Sequence, residues 1–140
     1  MKFPYQKLPA RDSSQRGKPV PLIPIKLFDH RKVASFECYA LVDSGADKSL
    51  FNAEVARELT IDLRNAPEEP FSGIEGGVLM AKMANIFIQV TGDDKVFDIP
   101  VGFIENLNLF GILGQEGFFD QFTVTFKRRK LELELKRSTR

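Results

Sequence analysis

Short runs in which apolar and polar residues alternate recur along most of the chain, and this alternation is typical of β-strands. The runs predict strands at residues 20–28, 33–42, 78–90, 96–103, 122–126 and 131–135. Pro21 and Pro24 cannot donate hydrogen bonds to a ladder, so the first strand is expected to begin at a sheet edge. The pattern therefore predicts a mostly β fold, either a closed barrel or a sandwich.

Two short segments are predicted to be helical. In residues 49–59 apolar side chains recur at every fourth position, and Ser49 is a suitable residue for a helix start. Residues 115–122 form the second candidate. The Pro-Glu-Glu-Pro run at 67–70 predicts a loop, and the glycine-rich residues 71–78 predict a hairpin tip after it.

The chain of 140 residues is long enough for one domain. Residues 1–19 are polar and contain three prolines, which predicts an N-terminal arm or lead-in. We expect the domain itself at 20–135 and a short C-terminal tail at 136–140.

Composition and charge exclude several classes of partner. The net charge is +1, from 20 basic and 19 acidic residues, so no long-range field for nucleic acid or anionic membrane is expected. The basic run 127–130 is interpreted as a solvated hairpin tip. There is no apolar stretch of 18 residues, and the N-terminal residues lack the apolar segment of a secretory signal. A cytoplasmic protein without membrane partners is therefore expected.

The single cysteine, Cys38, lies in an apolar run and cannot form an internal disulfide. We interpret it as a small buried hydrophobic residue. A cysteine nucleophile needs a base, and the only histidine, His30, lies in what is predicted to be an exposed turn. Cysteine–histidine catalysis is therefore not expected.

The run Asp43-Ser44-Gly45 is the chemically most suggestive motif in the chain. The same three residue types also form ordinary β-turns, so the motif is weak when taken alone. Its neighbours strengthen it, because the apolar pair Leu41-Val42 indicates a buried strand that delivers Asp43. The small Ala46 follows directly.

Three segments, in this order, resemble the retroviral-type, or retropepsin-like, aspartic proteases. They are residues 40–47 with the Asp-Ser-Gly motif, the glycine-rich residues 73–77, and Ile-Leu-Gly at 112–114 before a short helix. The similarity covers most of residues 18–135. It implies a closed acid-protease barrel with one or two short helices. The chain has one Asp-Ser-Gly motif, which matches the homodimeric members of this family rather than the two-lobed ones.

The resemblance implies an aspartic endopeptidase that hydrolyses peptide bonds with activated water. Two carboxyl groups about 3 Å apart cannot both ionise, so they share one proton. One acts as general base on water and the other as general acid. A chain with one such residue, Asp43, therefore needs a second copy of itself across a two-fold axis. The implied partners are that copy and a polypeptide substrate, with no cofactor and no metal.

The resemblance also implies roles for the neighbours of Asp43. Ser44 places its hydroxyl across the dimer axis and locks the two loops together, and the small Ala46 supports the turn. Gly45 allows the backbone to approach the carboxylates and to donate its N–H. Asp47 occupies the position that binds the substrate backbone. Lys48 departs from the acidic residue that some relatives carry there.

Residues 71–80 resemble the flap, a hairpin that opens for substrate and closes to exclude water. Its substrate-binding residues would be Gly73, Ile74, Glu75 and Gly76, and Glu75 stands where relatives often have glycine.

Phe110 and Ile112 would line apolar substrate pockets, which predicts a preference for apolar side chains around the cleaved bond. In small retroviral enzymes the termini also form a sheet shared between subunits. Leu131, Leu133 and Leu135 are candidates for such a sheet here.

The sequence also allows two alternative hypotheses for the function. The chain could be a retropepsin-like dimerisation or peptide-binding module with little catalysis, although a module that only binds has no need of a buried carboxylate pair. It could also be an unrelated β-barrel binding protein. A structure without a two-fold pairing of Asp43 loops would favour the latter.

Overall fold

The computed structural model describes residues 1–8, 17–72 and 77–139, and within them the chain is mostly β, as predicted. The described strands are β1 (Lys2–Pro4), β2 (Gln6–Lys7), β3 (Pro19–Val20), β4 (Leu22–Phe28), β5 (Ser35–Val42), β6 (Ser49–Asn52), β7 (Glu68–Ser72), β8 (Val78–Val90), β9 (Phe97–Ile104), β10 (Gly111–Leu113), β11 (Phe122–Lys127) and β12 (Glu132–Arg137). The same residues include the helix α1 (Ala53–Glu58) and short helical turns at Gln115–Phe119 and Arg128–Lys130.

Six strands of the largest sheet close into a barrel, which confirms the closed form of the predicted fold. Their order is β4-β5-β10-β6-β9-β8, and β8 pairs back onto β4 through Ile25–Phe28. Closure leaves no free edge within this ring. β7 extends the sheet beyond β8 and forms a hairpin with it outside the ring.

The barrel interior is filled by the buried face of each alternating strand. The most deeply buried aliphatic side chains of β4, β8 and β9 are Ile23, Ile25, Leu27, Ile86, Ile88, Val90, Ile99 and Val101. A cluster of three buried phenylalanines, Phe97, Phe118 and Phe122, adds ring contacts with centroids 5.2–6.4 Å apart. Burial of this apolar area is the main favourable term in folding.

The first long strand begins at an edge, as its prolines predict. Leu22 to Pro24 pair with β5, whereas Ile25 to Phe28 pair with both β5 and β8. The strand thus becomes internal only after Pro24, where every residue has an N–H to donate.

The prediction of a helix from residue 49 is wrong for its first four residues. Ser49–Asn52 form β6, which lies between β9 and β10 and pairs with both. The helix begins at Ala53, and its cap is Asn52, whose side-chain oxygen accepts a hydrogen bond from the Glu54 N–H at 3.0 Å. Pairing on two sides satisfies the backbone of residues 49–52 and overrides the helical spacing.

The predicted loop at 67–70 is also wrong from Glu68 onward, because Glu68–Ser72 form β7. Pro70 lies opposite Met80 in the pairing with β8. β7 is the last strand of its sheet, and a proline is tolerated on such an edge strand.

The predicted helix at 115–122 is an irregular turn for most of its length. Within it Glu116 is extended and Gly117 has a φ of 92°, so no regular helix forms there. β11 already begins at Phe122. No helix within the described ranges is long and apolar enough to cross a membrane.

The two ends of the chain pair with each other. β1 is antiparallel to β12, with Phe3 opposite Leu133, and β11 occupies the other side of β12. Leu133 and Leu135 are buried in the core. Leu131 is 37% exposed at the preceding turn. The sheet shared between subunits stays a prediction for these three leucines. The division of the chain at residues 19 and 135 stays a prediction.

Candidate active site

Asp43 directly follows β5 and begins a tight turn. Its N–H donates to the Leu113 carbonyl of β10 at 3.0 Å, and its own carbonyl accepts from the Ala46 N–H at 3.2 Å. The preceding Val42 is buried in the core and anchors the end of the strand. Because side chains alternate along β5, Val42 points into the core, and this fixes the position at which the turn with Asp43 begins.

The Asp43 carboxylate is held by its own turn. The Gly45 N–H donates to Asp43 Oδ1 at 2.9 Å, a charge-assisted hydrogen bond. A Cβ at residue 45 would lie 3.3 Å from that oxygen, closer than most such contacts, so glycine gives the carboxylate room. Within the described ranges this is the only hydrogen bond to the carboxylate, and Oδ2 remains available for another partner.

Residues 43–48, which we call the Asp43 loop, are fixed by the segment 113–116 that runs beside them. The Gln115 N–H donates to the Ala46 carbonyl and the Glu116 N–H to the Asp47 carbonyl, both at 2.8 Å. Gln115 Nε2 also donates to the Ser44 carbonyl at 2.7 Å. All three bonds are accepted by backbone carbonyls of the loop, so they position it without using the side chains of Asp43 or Asp47.

Ser49 and Gly114 form a second connection between these segments. The Gly114 N–H donates to Ser49 Oγ at 3.0 Å, and Ser49 is fully buried. A Cβ at residue 114 would lie only 2.5 Å from the Lys48 carbonyl oxygen, so the close approach requires glycine. The sequence interpretation treated Ser49 as a helix start and missed this role. No local pattern in the sequence indicates this contact, because Gly114 lies 65 residues away along the chain.

A cleft of about 440 Å³ opens beside the Asp43 loop. The loop lines one side of it with Asp43, Gly45, Ala46, Asp47 and Lys48. Opposite and adjacent walls are apolar and come from β6, β7, β8 and β10. Their side chains include Leu50, Phe71, Leu79 and Ile112. The cleft therefore places a carboxylate beside a mainly apolar wall, and its volume is within the usual range for a ligand site.

The cleft brings together five of the predicted site residues, namely Asp43, Gly45, Ala46, Asp47 and Ile112. Ser44 is exposed in the same turn. The predicted flap residues Gly73, Ile74, Glu75 and Gly76 lie outside the described ranges.

Phe110 lines a different groove, of about 650 Å³, and its ring packs edge-on against Phe36 with centroids 5.4 Å apart. Leu107 borders both this groove and the cleft beside Asp43. The two spaces are therefore neighbours that share one wall.

Lys48 is the basic residue of the cleft, and it forms an ion pair with Glu69 of β7. The hydrogen bond to Glu69 raises the pKa of Lys48, and the charges of Glu69, Glu116 and Asp47 act in the same direction. Lys48 is therefore a stable cation at neutral pH, surrounded by carboxylates.

Two other reactive side chains are unsuited to catalysis. Burial raises the pKa of Cys38 to about 12, so its thiol stays protonated at neutral pH. His30 is largely exposed and lies 4.0 Å from Asp98. Within the described ranges no group of three or more histidine, cysteine or acidic side chains is arranged to hold a metal ion.

Comparison with known proteins finds similarity in structure but none in sequence families. No protein-family model matches the sequence, and no curated protein shows a significant sequence match. Among solved structures, a retropepsin-like aspartic protease from Rickettsia conorii is similar with a TM-score of 0.61 at 17% identity. That alignment covers 96% of this chain and 89% of the other.

Two further solved structures are similar. The retroviral protease-like domain of Ddi1 from Leishmania major aligns with a TM-score of 0.50 at 16% identity, over 85% of this chain and 94% of that domain. EIAV protease, in complex with the inhibitor HBY-793, gives 0.49 at 19% identity, over 71% and 85% of the two chains. The mostly β closed barrel agrees with the first of these similarities, which extends over nearly the whole chain. This chain therefore has the retropepsin-like fold, the fold of the retroviral-type aspartic proteases.

Proposed function

We propose that the chain is an aspartic endopeptidase that acts as a homodimer, in which Asp43 of each subunit supplies half of the catalytic pair. The observation that carries the proposal is the Asp43 turn itself. Its carboxylate borders a peptide-sized cleft and is oriented by the Gly45 N–H at 2.9 Å. The retropepsin-like fold supports the assignment.

The chemistry needs a second carboxyl group close to the first. A two-fold axis beside the Asp43 loop would bring two copies of Asp43 together, and the exposed Ser44 would lie near the same axis. The two carboxyl groups then share one proton, as in aspartic proteases generally.

Peptide hydrolysis follows from that shared proton. The ionised carboxylate takes a proton from water as the water oxygen bonds to the carbonyl carbon. The protonated carboxyl group donates to the carbonyl oxygen, which gives a tetrahedral diol. The carboxyl group that took the proton from water then gives it to the leaving nitrogen as the C–N bond breaks, and the other carboxylate takes a proton from a diol hydroxyl as the C=O bond re-forms. Each step returns the pair to a state with one proton, so Asp43 and its copy exchange roles through the cycle.

The walls of the cleft indicate the substrate class. Leu50 and Ile112 on the barrel face Phe71 and Leu79 on the hairpin of β7 and β8. The outer part of β8 is apolar and exposed, with Leu79 50% accessible. We propose that this hairpin, with Gly73, Ile74, Glu75 and Gly76 at its tip, closes over an extended polypeptide.

The substrate would then continue past Leu107 into the neighbouring groove lined by Phe110. Asp47 at the edge of the cleft would bind its backbone. This path predicts cleavage between apolar residues.

Replacement of Asp43 by Asn tests the proposal. The variant keeps the size of the side chain but cannot share or transfer a proton, so cleavage of an unfolded protein and of apolar peptides should be lost. Sedimentation should still show a dimer. The matched control is Asp94→Asn, an exposed residue in the turn after β8, which should cleave like the parent chain. Cleavage by the Asp43→Asn variant at the parental rate would exclude the mechanism.

A further inference from the structure

The ion pair between Lys48 and Glu69 joins two parts of the molecule that face each other across the cleft. Lys48 ends the Asp43 loop, and Glu69 lies on β7, next to the cleft-lining Pro70. The two residues are 21 positions apart in sequence. The contact therefore connects the loop that carries Asp43 with the hairpin that lies opposite it.

We propose that Lys48 and Glu69 are positioning residues for substrate: their ion pair holds the hairpin of β7 and β8 against the Asp43 loop and so determines the width of the cleft. The inference rests on the proposed peptidase function. It assigns to this pair an effect on substrate binding and leaves the chemical step to Asp43.

The base of the hairpin is held by the pairing of β8 with β9 from Lys82 onward, and by a hydrogen bond from Lys82 Nζ to a carbonyl of the loop after α1, 3.2 Å away. β7 is the terminal strand of its sheet and pairs with β8 alone within the described ranges. The ring of Phe71 on β7 packs against Gly102 of β9. A Cβ at residue 102 would lie only 3.0 Å from Phe71 Cζ, so the ring fits there because residue 102 is glycine. That contact holds the hairpin to β9 on the barrel, whereas Lys48–Glu69 is the contact that holds it to the Asp43 loop.

The surroundings of Lys48 determine what happens when the pair is broken. Asp47 and Glu116 also attract the Lys48 cation, as their effect on its pKa shows. If Glu69 loses its charge, Lys48 turns to these two carboxylates, both of which belong to the loop or to the segment 113–116. The cation then stays with the loop, and the hairpin is released.

The strength of the Lys48–Glu69 ion pair depends on how far its two side chains are exposed to solvent. The side chains of Lys48 and Glu69 are 32% and 42% exposed, so solvent and salt screen their attraction. A contact of this kind changes an equilibrium by about two- to five-fold. It is strong enough to favour the closed cleft and weak enough to yield when a substrate enters.

Charge reversal tests the proposal by two readouts. Lys48→Glu and Glu69→Lys should each raise KM for an apolar peptide by about three- to five-fold while kcat changes less than two-fold. The double variant Lys48→Glu/Glu69→Lys restores opposite charges and should return KM to within about two-fold of the parent. Added salt should raise the parental KM and leave that of the single variants almost unchanged.

The second readout is backbone hydrogen exchange of β7 and β8, which requires no catalysis. The single reversals should speed exchange in these strands several-fold, and the double variant should restore protection. The control is the ion pair Lys127–Glu132, 3.8 Å apart on β11 and β12 and outside the cleft, where Lys127→Glu should alter neither KM nor hairpin exchange.

The outcomes separate the two proposals. Single variants that exchange like the parent, or a double variant that remains as fast as the singles, would overturn the positioning role even if the chain cleaves peptides. If the parent chain cleaves no peptide, the proposed function fails, and the exchange data still decide whether the pair holds the hairpin.

Discussion

The backbone N–H of Gly114 donates a hydrogen bond to the fully buried hydroxyl of Ser49, 3.0 Å away. The bond joins the start of β6 to the segment that fixes the Asp43 loop. Ser49 follows that loop in sequence and Gly114 lies beside it in space, so the hydroxyl closes a ring of contacts around the loop. The position of Asp43 therefore depends on a side chain that does not touch the cleft.

Replacing Ser49 by Ala is expected to lower stability and activity together. The Gly114 N–H would lose its partner in a buried site, which costs about 1–3 kcal/mol in the free energy of unfolding. Loosening of the Asp43 loop should lower kcat more than it raises KM, because the catalytic pair depends on alignment. Denaturant unfolding and steady-state kinetics measure the two effects.

The control for that variant is Ser35→Ala, an exposed serine at the start of β5. Its free energy of unfolding and its kcat should equal those of the parent chain. A Ser49→Ala variant with parental stability and kcat would show that the hydroxyl has no part in positioning the loop.

Ile112 is expected to contribute to the recognition of apolar side chains. It lies in β10 between β5 and β6 and faces the cleft beside Asp43. Ile112→Ala removes apolar contact area, so kcat/KM for peptides with large apolar residues should fall by about ten-fold, and the fall should be smaller for peptides with alanine there. A peptide series measured on both proteins gives the comparison.

Val33→Ala is the control for this variant, since Val33 is 82% exposed at the hairpin tip between β4 and β5. Equal losses on large and small substrate residues would argue against a pocket at Ile112 and for a general disturbance of the site.

Asp93 is expected to make stability depend on pH. Burial acts to raise its pKa, but hydrogen bonds from Arg137 and the Lys95 N–H outweigh it, so the pKa lies below the usual 3.8. Because folding lowers the pKa of Asp93, its ionised form stabilises the fold at pH values above the pKa that Asp93 has in the unfolded chain. This stabilisation is lost as the pH falls through the pKa of Asp93 in the folded chain.

The parent chain should therefore be more stable than Asp93→Asn by about 1 kcal/mol at pH 7, and the difference should vanish under strongly acidic conditions. Unfolding curves across the acidic range test this, with the exposed Asp94→Asn as the matched control. If the difference in free energy of unfolding between the parent and Asp93→Asn grew as the pH fell, ionised Asp93 would not be the stabilising form.

The parts of the fold that follow from local chemistry could be predicted from sequence. The alternation in Val78–Val90 predicted β8 to the residue, because the buried face of a strand requires that pattern. The buried strand before Asp43 could be predicted from the apolar pair Leu41-Val42. The choice of a closed barrel over a sandwich could be expected only through the resemblance to a family.

What could not be predicted depends on contacts between distant segments. Ser49–Asn52 has helical spacing, but β9 and β10 occupy its two sides and make it a strand. Pro70 marks a loop by composition, yet an edge strand tolerates it. The bond from Gly114 to Ser49 spans 65 residues, and no local pattern reveals such a contact.

The central claim is that one Asp43 is half of an active site. Its most direct test is to mix parent subunits with Asp43→Asn subunits in equal amounts, after reversible dissociation, and to measure the cleavage rate. If both carboxyl groups are needed, only dimers of two parent subunits are active, and random pairing leaves about a quarter of the dimers active.

At constant total protein, the rate should therefore fall to about a quarter of that of the parent, and it should follow the square of the parent fraction across a series of mixtures. A rate proportional to the parent fraction, about half in the equal mixture, would show that each subunit acts alone and would contradict the shared site.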